Sequence, residues 1–131
     1  MLEKRIELRW RDVDAYGHVN NAVYLTFLEE ARDAWVQRTL GGATDTWDFV
    51  LARVAIDFRS ELTLEDEAVL VRCRLDSTGR SSIRTREEVV KLDGTLSASA
   101  ESVIVPRDTK TGRSRVLTDD ERRVLEAELT P

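Results

Sequence analysis

The sequence is poor in the residues that cross-link a chain or bind a metal. Cysteine and histidine each occur once in 131 residues. The single cysteine, Cys73, cannot form a disulfide within the chain, and its alternating apolar surroundings favour a small buried hydrophobe over a reactive thiol. One histidine and one cysteine cannot supply the usual zinc ligands. The composition therefore argues against a disulfide framework and against a zinc site.

Several longer signals are also missing. No glycine-rich phosphate loop occurs, and no apolar run approaches the roughly 20 residues that span a membrane. The N-terminus, Met1–Arg5, has no apolar signal core behind it. A formal net charge of −5 argues against a general nucleic-acid binder, because phosphate binding needs positive charge. We therefore expect a cytoplasmic protein with no membrane or nucleic-acid partner.

The residues that are present predict one folded unit. Hydrophobic residues make up 41% of the chain, which argues against intrinsic disorder. A chain of this length buries roughly two-thirds of its unfolded surface, enough for one core. No internal repeat divides it, so we expect a single domain over residues 1–131.

The first third of the chain predicts a strand, a polar loop and a long helix. Alternation from Arg5 to Arg11 predicts a half-buried strand with Ile6, Leu8 and Trp10 on one face. The loop Asp12–Asn21 follows. Apolar residues at helical spacing then predict a helix over Ala22–Leu40. Asn20 or Asn21 is its expected N-cap, Gly41-Gly42 ends it, and its polar side contains Glu29, Glu30, Arg32 and Asp33.

Four strands and a second helix are predicted beyond the long helix. The strands cover Phe49–Phe58, Ala68–Leu75, Ser81–Leu92 and Leu96–Val105. Asp93-Gly94 is typical of a hairpin turn, and Thr118–Glu121 has the form of a capping box that opens the last helix. This order predicts an α+β fold, with an antiparallel sheet of about five strands carrying one long helix.

Polar residues concentrate in the loop that joins the first strand to the long helix. A carboxylate there would lie beside the free N–H groups and partial positive charge of a helix start. Such donors can polarise a carbonyl and stabilise the oxyanion formed when it is attacked. A carboxylate beside an oxyanion site is a minimal apparatus for acyl transfer.

The same loop carries a family resemblance. Asp12–Leu25 resembles the signature of the 4-hydroxybenzoyl-CoA thioesterase-like branch of the hotdog superfamily, and Phe27–Arg32, Gly79–Ser82 and Thr111–Arg113 are also similar. The resemblance covers nearly the whole chain. It implies a hotdog fold that hydrolyses acyl-CoA thioesters as a homodimer or homotetramer, with paired subunits sharing the site. Because a thiolate leaves readily, no metal or organic cofactor is required.

The resemblance also implies roles for individual residues. Asp14 corresponds to the catalytic carboxylate, which either attacks the thioester or activates a water molecule. Asn21 corresponds to the residue whose backbone N–H binds the thioester carbonyl. His18 corresponds to a catalytic histidine of the related plant acyl-carrier-protein thioesterases, which carry asparagine where this chain has Tyr16. Tyr24 is a candidate for substrate binding.

Each candidate has a structural alternative. Asp12 and Asp14 could both be turn residues, and we expect that role for Asp12. His18 could be structural, and Tyr24 could simply pack in the first helical turn. Glu30 is a reserve catalytic carboxylate, because another hotdog branch uses one from the central helix.

Basic residues offer two further candidate regions. Arg80 with Ser81 could bind a CoA phosphate, and Arg107, Lys110, Arg113 and Arg115 form a second basic group. A solvated charged face is the alternative for both.

Two other functions fit the same pattern. One is hydrolysis of acyl chains carried on an acyl carrier protein. The other is a non-catalytic acyl-CoA-binding protein that keeps the hotdog fold. Retention of Asp14 and His18 favours an enzyme.

Overall fold

Two helices and a five-stranded antiparallel sheet make up the structure, a computed structural model that describes residues 1–43 and 48–129. In chain order the elements are β1 Leu2–Glu7, α1 Asn21–Leu40, β2 Phe49–Phe58, β3 Ala68–Thr78, β4 Ile83–Lys91, β5 Leu96–Pro106 and α2 Asp119–Leu129. The strands lie in the order β1-β3-β4-β5-β2. The predicted fold class is confirmed: one long helix, one sheet and a short C-terminal helix.

Helix α1 lies across β1, β3 and β4. Its Phe27, Leu28, Ala31 and Trp35 are each at most 1% exposed, because they face the buried sides of these strands. The predicted N-cap is confirmed at Asn20, whose side chain accepts the N–H of Ala22. Neither described helix combines the length and apolar character needed to cross a bilayer.

The strands follow the predicted pattern closely. Val69, Val71, Cys73 and Leu75 of β3 are all buried, as the alternation predicts, and β3 continues to Thr78, past its expected end. Burial raises the pKa of the Cys73 thiol to about 12, so this thiol stays protonated near neutral pH. The hairpin between β4 and β5 turns at Gly94, whose φ of 93° suits glycine.

One prediction near the N-terminus is wrong. Trp10 does not continue the inward face of Ile6: it begins a 3₁₀ turn, Trp10–Asp12, and its side chain is 84% exposed. The cause is Asp12, whose carboxylate accepts the Arg9 N–H at 2.8 Å and a guanidinium N–H of Arg9 at 3.1 Å. Asp12 itself is 2% exposed, so its expected structural role is confirmed.

A second correction concerns α1. The sequence predicts Arg32 on the polar side of the helix, but this residue is 5% exposed. Its Nη1 donates to Glu87 Oε1 of β4 at 3.1 Å and to Ser102 Oγ of β5 at 3.3 Å. Glu87 is also buried, so each charge compensates the other inside the core.

Candidate active site

A cleft of about 460 Å³ lies where the β1–α1 loop and the first turn of α1 meet the end of β2. It brings together four of the predicted site residues with two that were not predicted: Asp14, His18, Asn21, Tyr24, Phe58 and Glu61. Backbone hydrogen bonds near the end of the β1–α1 loop hold it beside the cleft. Val19 donates its N–H to Leu62 O at 2.8 Å, and Asn20 donates its N–H to Asp12 O at 2.8 Å.

The Asp14 carboxylate is held by its own loop. Its Oδ1 accepts the backbone N–H of Tyr16 at 2.9 Å and, more weakly, that of His18 at 3.4 Å. Gly17 completes the turn with φ 83°, a conformation that favours glycine. No hydrogen bond to Oδ2 comes from the described residues. The loop therefore holds one oxygen of the carboxylate, and no described residue donates to the other.

Tyr16 occupies the position at which the plant enzymes carry asparagine. Its side chain is 85% exposed, and its backbone N–H donates to Asp14.

The start of α1 leaves one backbone donor free. Asn20 takes the N–H of Ala22 on its side chain and the N–H of Val23 on its carbonyl, both at 2.9 Å. Within the described part of the chain, no group accepts the N–H of Asn21. This free donor belongs to a residue that lines the cleft.

His18 contacts a residue that the sequence analysis did not single out. Its Nε2 lies 3.1 Å from Glu61 Oε2, and the two side chains are 45% and 65% exposed. Glu61 lies on the segment between β2 and β3, far from His18 in the sequence. The backbone hydrogen bond between Val19 and Leu62 joins these two segments.

Tyr24 forms the buried wall of the cleft. Its ring lies edge-on to that of Phe58, with centroids 5.1 Å apart, and its hydroxyl is 2.9 Å from Ser97 Oγ. Ser97 in turn donates to Ser60 O at 2.6 Å. Burial raises the pKa of the Tyr24 hydroxyl, so this group stays neutral and acts as a hydrogen-bonding and packing group.

Arg80 and Ser81 lie at the opposite end of the sheet, in the turn between β3 and β4. Arg122 and Leu117 hold this turn by donating to Arg80 O at 2.9 and 3.1 Å. The Arg80 side chain is exposed, and no carboxylate in the described ranges pairs with it. Within one chain these residues do not reach the Asp14 cleft.

The remaining candidates also lie outside the cleft. Glu30 pairs with Lys4 of β1 at 3.8 Å. Two members of the second basic group have acidic partners, Arg107 with Asp48 and Arg115 with Glu121. Lys110 and Arg113 are exposed on the same loop.

The chain matches the thioesterase-like superfamily over residues 8–127. Long-chain acyl-CoA thioesterase FadM of Escherichia coli K12 is 30% identical, over 95% of this chain and 97% of FadM.

Solved structures resemble the whole fold. A thioesterase of Thermus thermophilus, solved with coenzyme A and Zn, is 34% identical with a TM-score of 0.84, over 98% of this chain and 95% of that one. YbaW of Escherichia coli is 28% identical with a TM-score of 0.81, over 99% and 100% of the two chains. In residues 1–43 and 48–129 of the present chain, no three His, Cys, Asp or Glu side chains cluster as metal ligands.

Proposed function

Because this chain belongs to the thioesterase-like superfamily, we propose that it hydrolyses acyl-CoA thioesters to the free acid and CoA in the Asp14 cleft. The long-chain acyl-CoA thioesterase and the coenzyme A-bound relative support this choice of substrate. The observation that carries the proposal is the pairing, in one cleft, of a fixed carboxylate with a free helix-start N–H, at Asp14 and Asn21.

The chemistry follows from these two groups. The thioester carbonyl oxygen accepts the N–H of Asn21, which stabilises the negative charge that develops on that oxygen. Asp14 Oδ2 either removes a proton from a water molecule that attacks the carbonyl carbon, or attacks that carbon itself to give an anhydride that water then opens. In both routes the C–S bond breaks, and the sulfur leaves as a thiolate that takes up a proton.

Asp14→Asn tests the proposal directly. Asparagine keeps the side-chain oxygen that accepts the loop N–H groups, so the turn should survive, but it can neither accept the proton nor attack. We expect kcat to fall by about 10²- to 10⁴-fold, measured as thiol release from short, medium, long and aromatic acyl-CoAs. Asp57→Asn is the matched control, because Asp57 is an exposed aspartate near the end of β2. An Asp14→Asn protein with most of its activity would refute the role of Asp14.

The same screen separates the two alternatives. Activity only on acyl chains carried by an acyl carrier protein would indicate that substrate class instead. Tight acyl-CoA binding without thiol release from any substrate would indicate a non-catalytic binding protein.

We further propose that the protein forms a homodimer, or a dimer of dimers, through β2. This strand is at the sheet edge, and among the described residues it pairs only with β5. Its inward residues, Leu51, Val54, Ile56 and Phe58, stand opposite buried positions of β5, yet Leu51 and Phe58 are each 47% exposed. Helix α1 lies mainly over β1, β3 and β4 and covers this strip only in part, through the Tyr24–Phe58 contact. A second copy would cover both the strip and the strand edge.

Such a dimer would also account for Arg80 and Ser81. If two β2 strands pair antiparallel, the Asp14 end of one subunit lies beside the Arg80 end of the other. Arg80 and Ser81 of the partner subunit could then bind the phosphates of a CoA whose thioester lies at Asp14.

Two leucines of nearly equal exposure test this interface. Leu51, on β2, is 47% exposed, and Leu92, in the β4–β5 turn, is 44% exposed. We expect Leu51→Glu to lower the mass measured by light scattering at micromolar concentration and to reduce activity, whereas Leu92→Glu does neither. A wild-type monomer with full activity would contradict the proposal.

A further inference from the structure

The contact between His18 and Glu61 is fixed by its neighbours. Val19 and Leu62, the next residue in each segment, are 3% and 0% exposed and joined by a backbone hydrogen bond of 2.8 Å. The backbone segments that carry His18 and Glu61 are therefore held in place, although the two side chains reach solvent. A polar contact this exposed adds little to stability, and the buried neighbours already hold the segments together.

The contact with Glu61 favours one tautomer of the imidazole. An ionised carboxylate has no hydrogen to donate, so a hydrogen on His18 Nε2, 3.1 Å from Glu61 Oε2, is favoured over a lone pair there. In the neutral ring Nδ1 then has no hydrogen and presents a lone pair that can accept a proton. The same division of labour, with a carboxylate fixing one ring nitrogen so that the other moves the proton, occurs in acyl-transfer enzymes.

We propose that Glu61 is a positioning residue that fixes the tautomer and orientation of His18, and that His18 Nδ1 carries the proton of the hydrolysis. This rests on the thioesterase function proposed above. Overall, a water O–H bond and the C–S bond break, and a C–O bond and an S–H bond form. One proton thus moves from water to sulfur whether Asp14 acts as base or nucleophile. When Asp14 acts as the base, it passes this proton to Nδ1, which gives it to the departing thiolate. When Asp14 is the nucleophile, protonated His18 gives its Nδ1 proton to the thiolate first and takes one back from the water that opens the anhydride.

A double-mutant cycle tests the proposal on the best acyl-CoA of the screen. We expect Glu61→Gln to lower kcat about 10- to 100-fold, with KM and Tm nearly unchanged, because the variant loses orientation rather than binding. In a His18→Ala background the same change should alter kcat by less than about twofold, since Glu61 acts only through His18. Glu65→Gln is the control: it removes an exposed carboxylate from the same segment, outside the cleft.

The outcomes separate this inference from the underlying function. Full kcat in Glu61→Gln, or an equal loss with and without His18, would overturn the role of Glu61. If Asp14→Asn were inactive while His18→Ala kept its kcat, the thioesterase assignment would stand and the proton-carrying pair would fall. An active Asp14→Asn protein would remove the basis of both.

Discussion

Two pairs of polar side chains in this molecule have the same spacing and opposite surroundings. Arg32 Nη1 and Glu87 Oε1 are 3.1 Å apart in the core, with side-chain exposures of 6% and 0%. His18 Nε2 and Glu61 Oε2 are also 3.1 Å apart, but at the cleft, with exposures of 45% and 65%. Separation alone therefore says little about what a pair does. The core pair can only be broken at a large cost in stability, whereas the exposed cleft pair adds little to stability and is open to solvent.

The core pair is incompletely satisfied. Thr85 Oγ1 donates to Glu87 Oε1 at 3.2 Å, but Glu87 Oε2 has no hydrogen-bond partner among the residues described. Burial raises the pKa of the Glu87 carboxyl, and Ser102 and the Arg32 charge offset this only in part. We therefore expect the pair to cost stability relative to well-packed apolar side chains of similar size.

The largest expected change in stability comes from Arg32→Met. It removes one charge and leaves Glu87 buried without its cation, which costs about 3–5 kcal/mol in the free energy of unfolding. Denaturant unfolding of the variant and the wild type, at the same protein concentration, measures this loss. The deficit should shrink as pH falls, because the folded pKa of Glu87 is raised, and protonation below it removes the penalty.

The matched control for Arg32→Met replaces both charges. Arg32→Met combined with Glu87→Met should recover most of the lost stability, since no uncompensated charge remains. If Arg32→Met alone were as stable as the wild type, Arg32 and Glu87 would not stabilise each other. In the cleft, by contrast, His18→Ala should leave the free energy of unfolding within about 1 kcal/mol.

The next effect, on activity rather than stability, is expected from Asn21→Pro. Proline removes the N–H proposed to hold the oxyanion, which costs roughly 3 kcal/mol or about two orders of magnitude in kcat. The fold should tolerate it, because Asn21 is the first residue of α1 and Asn20, at φ −60° and ψ 136°, has the extended backbone that a following proline requires.

Asn21→Ala is the control, since it keeps the N–H and loses only the side chain. Its activity should fall only modestly. Circular dichroism and melting establish first that the proline variant is folded. A folded proline variant that hydrolyses as fast as the alanine variant would mean that the carbonyl is held elsewhere.

Local features of the fold and contacts between distant segments differ in how well the sequence predicts them. Local signals were sufficient for β2, for an asparagine cap at position 20 or 21 and for the Asp93-Gly94 turn, because each depends on residues adjacent in the chain. Trp10 was misplaced because alternation continues through Arg11, while the hydrogen bonds of Asp12 end the strand early.

The long-range pairs left no local signal. Nothing near Arg32 indicates that its partner is on β4, and nothing near Glu61 marks it as a neighbour of His18. The cleft could be predicted at Asp14 and Asn21, where one short loop contains both groups. The place of Glu61 in the cleft could not be predicted, because it depends on how two segments distant in sequence pack together.

A third buried carboxylate sharpens the comparison with Glu87. Glu121, at the start of α2, is 0% exposed, yet each of its oxygens has a donor. Arg115 binds both oxygens, at 2.8 and 2.9 Å, and the Thr118 N–H donates to Oε1 at 2.8 Å. Burial by itself raises the pKa of Glu121, but Arg115 and Thr118 together bring it below its usual value. With both oxygens hydrogen-bonded, the pKa of Glu121 is lowered, whereas the pKa of Glu87 is raised.

The smallest effect on stability that we predict follows from the lowered pKa of Glu121. Because the folded pKa of Glu121 is lowered, its contribution is present above the unfolded pKa of about 4.3 and is lost as pH falls through the folded pKa. Glu121→Gln should therefore lower the free energy of unfolding by about 1 kcal/mol at pH 7 and by much less in acid, near pH 3. Asp119→Asn, an exposed carboxylate of the same helical turn, should change it little at either pH. A Glu121→Gln deficit of equal size at both pH values would mean that packing, and not the charge of Glu121, stabilises the start of α2.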